Sequence, residues 1–171
     1  MSVEDAISIR RSVRSYERKE VPGEKLEKVL DAARLAPSAS NRQDWKFIVV
    51  RDEEKKEKIC KAAYGQDFIK EAPVVIVGVG LNPDHKMSCG ISSSTVDVSI
   101  AMDHMMLKAT EEGLGTCWIG AFEQEKIKEI LGIPSQHQVV ALMPIGYPKE
   151  PLKKVEKSRK SLGEIVSYDE W

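Results

Sequence analysis

The sequence is short of almost every signal that assigns a function by itself. Its three cysteines, Cys60, Cys89 and Cys117, are too few for a disulfide framework. No charged-then-apolar leader follows Met1, so a signal peptide is not expected, and a reducing cytoplasm is the expected home. The longest apolar run, Pro73 to Leu81, is far too short to span a bilayer, so no membrane partner is expected. The balance of 26 Lys and Arg against 27 Asp and Glu leaves a net charge of -1, which argues against a nucleic-acid partner. There is no Gly-x-Gly-x-x-Gly after a strand, no Walker-type loop, no Gly-x-Ser-x-Gly and no His-Glu-x-x-His. His85 and Cys89 stand four apart in a polar loop without a visible third ligand, so no metal is expected. No acid–base or nucleophilic constellation stands out. If the chain is an enzyme, a bound cofactor supplies the chemistry.

What is present reads as one globular domain over residues 1–171, with 42% hydrophobic and 31% charged residues. Ser2 is placed to cap a first helix whose first turn carries Glu4 and Asp5. Leu26, Val29, Leu30, Ala33 and Leu35 recur at helical spacing and predict a helix over 24–35. Strands are expected at Trp45–Val50, Pro73–Val79, Thr116–Gly120 and Val139–Gly146. Further helices are expected at 53–64, at 93–112 and at 123–131. Helices and strands mix without strict alternation, which gives an α+β class with a mixed, mostly antiparallel sheet flanked by helices. Ile165, Val166, Tyr168 and Trp171 follow a long polar stretch, so the tail is either frayed or docked, and four large apolar side chains favour docking.

The densest chemistry is Arg10-Arg11-Ser12-Val13-Arg14. A cluster of this kind is either a solvated basic turn or an anion site, since arginine holds phosphate with a planar fork of donors. Two other segments carry suitable groups: Pro37-Ser38-Ala39-Ser40-Asn41-Arg42-Gln43-Asp44-Trp45, and the run from Gly113 to Phe122. A fourth, Lys157-Ser158-Arg159, lies just before the tail.

In order and spacing these four segments resemble the FMN-dependent nitroreductase family, over nearly the whole chain. The resemblance implies an intertwined homodimer with FMN at the subunit interface and the tail, about 150–171, docked on the partner. It implies cofactor contacts from Arg10, Arg11, Ser12, Arg14, Pro37, Ser38, Ala39, Asn41, Gln43, Ile119, Gly120, Ala121, Lys157 and Arg159. Arg10, Arg11, Ser12 and Arg159 would hold the phosphate. Asn41, with Gln43, would read the pyrimidine edge of the ring. Arg14 would set a charge near N1, and Gly120 and Ala121 would bring backbone to N5. Residues 10–14, 37–43 and 157–159 would come from one chain and 119–121 from its partner.

The activity implied is NADH- or NADPH-dependent reduction of an electron-poor small-molecule acceptor, such as a nitroaromatic or a quinone, by ping-pong hydride transfer. The alternative is a flavin carrier or sensor without turnover. Family members that dehalogenate or fragment a flavin are also compatible. Two departures stand out. The family often has proline where this chain has Asp44, and few residues separate the second strand from the long helix, where larger members cover the substrate.

Overall fold

The computed structural model describes residues 1–171. Four strands, β1 (Trp45–Val50), β2 (Val74–Gly80), β3 (Gly115–Thr116) and β4 (Gln138–Gly146), form one antiparallel sheet in the order β1-β2-β4-β3. Seven helices accompany it: α1 (Val3–Ile9), α2 (Gly23–Arg34), α3 (Glu53–Ala62), α4 (Phe68–Glu71), α5 (Ser93–Glu111), α6 (Gln124–Leu131) and α7 (Leu162–Ile165). A 3-10 turn spans Ala39–Asn41. This is the α+β architecture expected from the sequence, and the isolated Ser12–Thr116 bridge adds a parallel pairing at the β3 edge.

β2 is buried along its whole length because it has no polar side chain and therefore accepts helices on both faces. Val74 and Ile76 of β2 join Ala141, Met143 and Ile145 of β4 under α2 and α5. Val75, Val77 and Val79 join Leu142 and Val139 under α3, α4 and α6. Strand alternation alone would put Val139 and Ala141 on one face. The register shifts between Gly78 and Val79, leaving Val140 as an extra residue, and this bulge turns Val139 to the opposite core.

β3 is shorter than the strand expected at 116–120, and the cause lies in β4. Ile119 and Leu142 exchange both backbone hydrogen bonds, at 2.9 and 3.0 Å. In the same register Cys117 falls opposite Pro144, which has no N–H to give. The ladder breaks there. The carbonyl of Pro144 instead lies 3.3 Å from the hydroxyl of Tyr16, which also lies 2.8 Å from the carbonyl of Val13. Burial pushes the Tyr16 phenol upward in pKa, so it is a neutral donor.

Local chemistry sets the remaining boundaries. Ser2 Oγ accepts the Asp5 N–H at 3.1 Å and Asp5 accepts back from the Ser2 N–H, closing a capping box on α1. α3 stops at Ala62, earlier than expected, where Tyr64 and Gly65 turn left-handed at φ 59 and 74. α4, α7 and the 3-10 turn are too short to show a helical period in the sequence. The tail runs back along α1 of its own chain, with Lys154 3.4 Å from Asp5 and Lys157 Nζ donating to the Ile7 carbonyl at 2.7 Å. Beyond it Leu162, Ile165, Tyr168 and Trp171 are exposed. No helix is long and apolar enough to cross a membrane.

α5 lies on β2 at Gly78, where a Cβ would fall 2.9 Å from Val98 Cγ1 and closer still to Met102 Sδ. Both partners are fully buried and have no room to yield. Gly78→Ala is therefore expected to lower stability by about 1–3 kcal/mol through overpacking, read as a fall in the urea midpoint at unchanged slope.

Candidate functional site

The N-terminal segment reaches the β3 edge because Val13 donates its N–H to the Thr116 carbonyl at 2.8 Å. That pairing brings Arg10, Ser12 and Arg14 beside Cys117. Burial pushes the Cys117 thiol up, while Arg14, the Ser12 hydroxyl and Arg10 pull it back down. Lys157 arrives at the same place from the tail. Its ammonium is held below the usual lysine range, first by desolvation and then by repulsion from Arg10 and Arg159. One edge of one chain thus gathers Arg10, Arg14, Lys157 and Arg159 with no carboxylate among them. The Thr116 hydroxyl in the same strand is buried and has no hydrogen-bond partner.

Two of the expected contact residues have partners within the chain. Arg11 donates to the Glu150 carbonyl at 3.2 Å and lies 3.5 Å from its carboxylate. Ile119 has a buried side chain and both backbone groups engaged with Leu142. Gly120 and Ala121 are exposed beyond it, and a side chain on Gly120 would meet only open space. Gln66 Nε2 donates to the Ala121 carbonyl at 3.2 Å, and the Arg14 guanidinium stands 6.0 Å from the centre of the Phe68 ring. Gln66 and Phe68 are thus part of this edge. No sequence pattern marks them, because their role comes from where α4 folds back.

The 37–43 loop is built differently. Ser40, Asn41 and Gln43 all sit at positive φ, 51, 53 and 55, in a region that non-glycine residues seldom occupy. Pro37 is exposed, and Ser38 accepts the Gln43 N–H at 3.1 Å. Gln43 reaches Asn41 at 3.3 Å, which leaves the exposed Asn41 amide nitrogen facing solvent. Ala39 donates its N–H to Asp97 Oδ1 at 3.0 Å. Asp44, the departure from proline, has a job of its own. It receives Arg42 Nε at 2.9 Å, and that guanidinium holds its carboxyl below the usual range.

These two groups do not meet within one chain. The loop is pinned at Asp97, whereas α1 lies against the far end of α5, where the Met1 amino group faces Glu111. The thirteen helical steps from Asp97 to Thr110 span about 20 Å. Across the sheet, β1 with its preceding loop is at one edge and Ser12 lies outside β3 at the other, about 19 Å away at the usual strand spacing. The grouping within one chain thus differs from the one expected. Residues 116–121 adjoin 10–14 in the same chain, and 37–43 is the part set apart.

Nothing else in the fold gathers comparable chemistry. No group of three or more His, Cys, Asp or Glu side chains could hold a metal. Cys60 and Cys117 are buried, and Cys89 is exposed.

Four cations crowded without a counter-ion attract an anion. Inorganic phosphate is expected to raise the melting temperature by mass action on the folded state. The sign with pH follows from Lys157: its depressed value means the ammonium is lost early as pH rises, so the phosphate-induced gain shrinks from neutral to strongly alkaline pH. In Lys157→Met the gain is smaller at neutral pH and flatter with pH. Thermal melts with and without phosphate measure both.

Comparison with known proteins fits this geometry. The model of the Nitroreductase family matches residues 7–66 and 60–147. A nitroreductase family protein of Clostridium difficile has a solved structure that superposes with a TM-score of 0.88 at 36% identity, covering 100% of this chain and 99% of that one. An FMN-dependent nitroreductase from the same species superposes at 0.82 with 35% identity, over 96% of this chain and 99% of that one. A protein of Thermus thermophilus named NADH dehydrogenase is 31% identical over 172 residues, 82% of this chain and 84% of its own. With its fold, its four motifs and these matches taken together, the chain belongs to the nitroreductase family.

Proposed function

We propose that the protein is a homodimeric FMN oxidoreductase that uses NADH or NADPH to reduce an electron-poor small-molecule acceptor. The observation that carries this reading is the carboxylate-free cluster of Arg10, Arg14, Lys157 and Arg159 around Cys117 and Ser12. A phosphate monoester carries the charge this cluster lacks, and arginine supplies paired donors matched to its oxygens. Arg10, Ser12, Lys157 and Arg159 would hold that phosphate. Arg14, braced on Phe68, would place a fixed positive charge over the ring end of the ligand, favouring the negative charge gained on reduction. The open backbone at Gly120 and Ala121 would lie along the ring without a side chain in the way. When bound, FMN supplies the hydride transfer, taking a hydride from the nicotinamide and passing it to the acceptor in a ping-pong cycle.

The separation of the two edges supports the dimer. Asn41 reads a ring held at the Arg10 edge only if the 37–43 loop comes from a second copy. A two-fold pairing would bring each loop to the partner's cationic edge and make two equal sites. Val96, Ile100, Met106 and Leu107 of α5 are half-buried apolar side chains that such a pairing would cover, and the tail from Leu162 to Trp171 supplies further apolar area. The short connection between β2 and α5 leaves little to cover the ring face, which suits small planar acceptors.

The test begins with the visible spectrum of the purified protein. A flavin band that bleaches anaerobically with NADH or NADPH at a catalytic rate supports the reading; a protein that stays colourless after incubation with FMN refutes it. Binding without bleaching points to a carrier or sensor. The arginines then divide. Arg10→Ala is expected to raise the FMN dissociation constant about tenfold to a hundredfold, as loss of a charged hydrogen bond implies. Arg11→Ala leaves it nearly unchanged because that side chain belongs to Glu150. Arg14→Ala mainly lowers the flavin midpoint potential. Fluorescence titration and a redox titration separate the three.

A further inference from the structure

Asp97 is the one carboxylate that the fold buries. It is 2% exposed, on the stretch of α5 that also buries Ser93, Ser94 and Val98, and no cation pairs with it. Oδ1 accepts the Ala39 N–H at 3.0 Å, while Oδ2 has no partner. Ser94, three residues earlier on the helix, has a buried hydroxyl that is likewise unpartnered. A buried carboxylate oxygen left unpaired makes the folded state less stable than a packed apolar side chain of similar volume would. Core stability therefore gives no reason for an aspartate at this place.

The loop gives one. Residues 38–43 make their other hydrogen bonds among themselves or to the adjoining 44–45, and the bond from Ala39 to Asp97 is their tether to the body of the protein. The loop holds three non-glycine residues in the left-handed region. Such conformations persist only where the surroundings impose them. Asp97 fixes the N–H that opens the 3-10 turn, and the turn carries Asn41.

We propose that Asp97 is a positioning residue: it holds the 37–43 loop in the strained shape that presents Asn41 to the flavin, at the expense of core stability. This rests on the flavin reading above. Two substitutions separate positioning from packing. Asp97→Leu fills the site without an acceptor, and the part-exposed Ala39 N–H then turns to water. Asp97→Asn keeps an acceptor for Ala39.

For Asp97→Leu the expected result is a melting temperature no lower than that of the unsubstituted protein and faster hydrogen exchange confined to 38–43. The FMN dissociation constant rises roughly tenfold, the weight of one hydrogen bond, and the visible circular dichroism of the bound flavin changes. Asp97→Asn stays close to the unsubstituted protein in all but melting temperature. A lower melting temperature in Asp97→Leu, with loop exchange and flavin affinity unaltered, overturns the proposal. So does a released loop with unchanged affinity and dichroism, and so does failure of Asp97→Leu to fold, because the proposal requires the core to tolerate an apolar side chain there. Failure of the flavin reading shows separately, in the unsubstituted protein, and hydrogen exchange then still decides whether Asp97 holds the loop.

Discussion

The hydrogen bond from the Val13 N–H to the Thr116 carbonyl, 2.8 Å long, is the join on which the site depends. Thr116 turns its backbone away from β4, and the N-terminal segment docks on that outer edge of β3. Gly115 lets it come close, since a Cβ there would lie 2.6 Å from Val13 Cγ2. Tyr16 then anchors the segment from behind, with its hydroxyl near the carbonyls of Val13 and Pro144. A glycine, a poor strand residue, thus admits the segment that arrays Arg10, Ser12 and Arg14.

The charges gathered there make the isolated edge unfavourable. Desolvation and like-charge repulsion already hold Lys157 below its ordinary range, as expected of a cationic cluster that gains from a bound anion. Most other cations on the surface are matched, as in the pairs Lys58–Glu54, Lys70–Asp67 and Lys108–Glu111. Such exposed pairs stabilise little. What sets the Arg10 edge apart is that its unpaired cations lie close enough to repel one another.

How much of this the sequence disclosed depended on the range of the interaction. α2, α5, β1 and β2 are written in period and composition, so their places were legible. The Arg10–Arg14 cluster was legible as chemistry, but not the diversion of Arg11 to Glu150, 139 residues away. The break in β3 was visible only once Pro144 was known to face Cys117. Asp97 was the largest omission, although a signal existed: an acidic residue between Val96 and Val98 in an otherwise apolar helix stretch. The grouping of the segments within one chain was not legible, because linear order carries no distance. The loop and the arginines are near in sequence and are held at opposite edges of the sheet.

That separation gives the two unusual parts of the molecule a common explanation. One edge has surplus positive charge. The other has a loop in strained conformations, held by a carboxylate that the core would be more stable without. In a monomer each is a cost with no return. In a two-fold pair each edge would face its complement, and both imperfections would be relieved at one ligand. Strain and unmatched charge surviving together in a fold whose core is otherwise well packed are what a site assembled from two copies requires. A single-chain site would have needed only one of them.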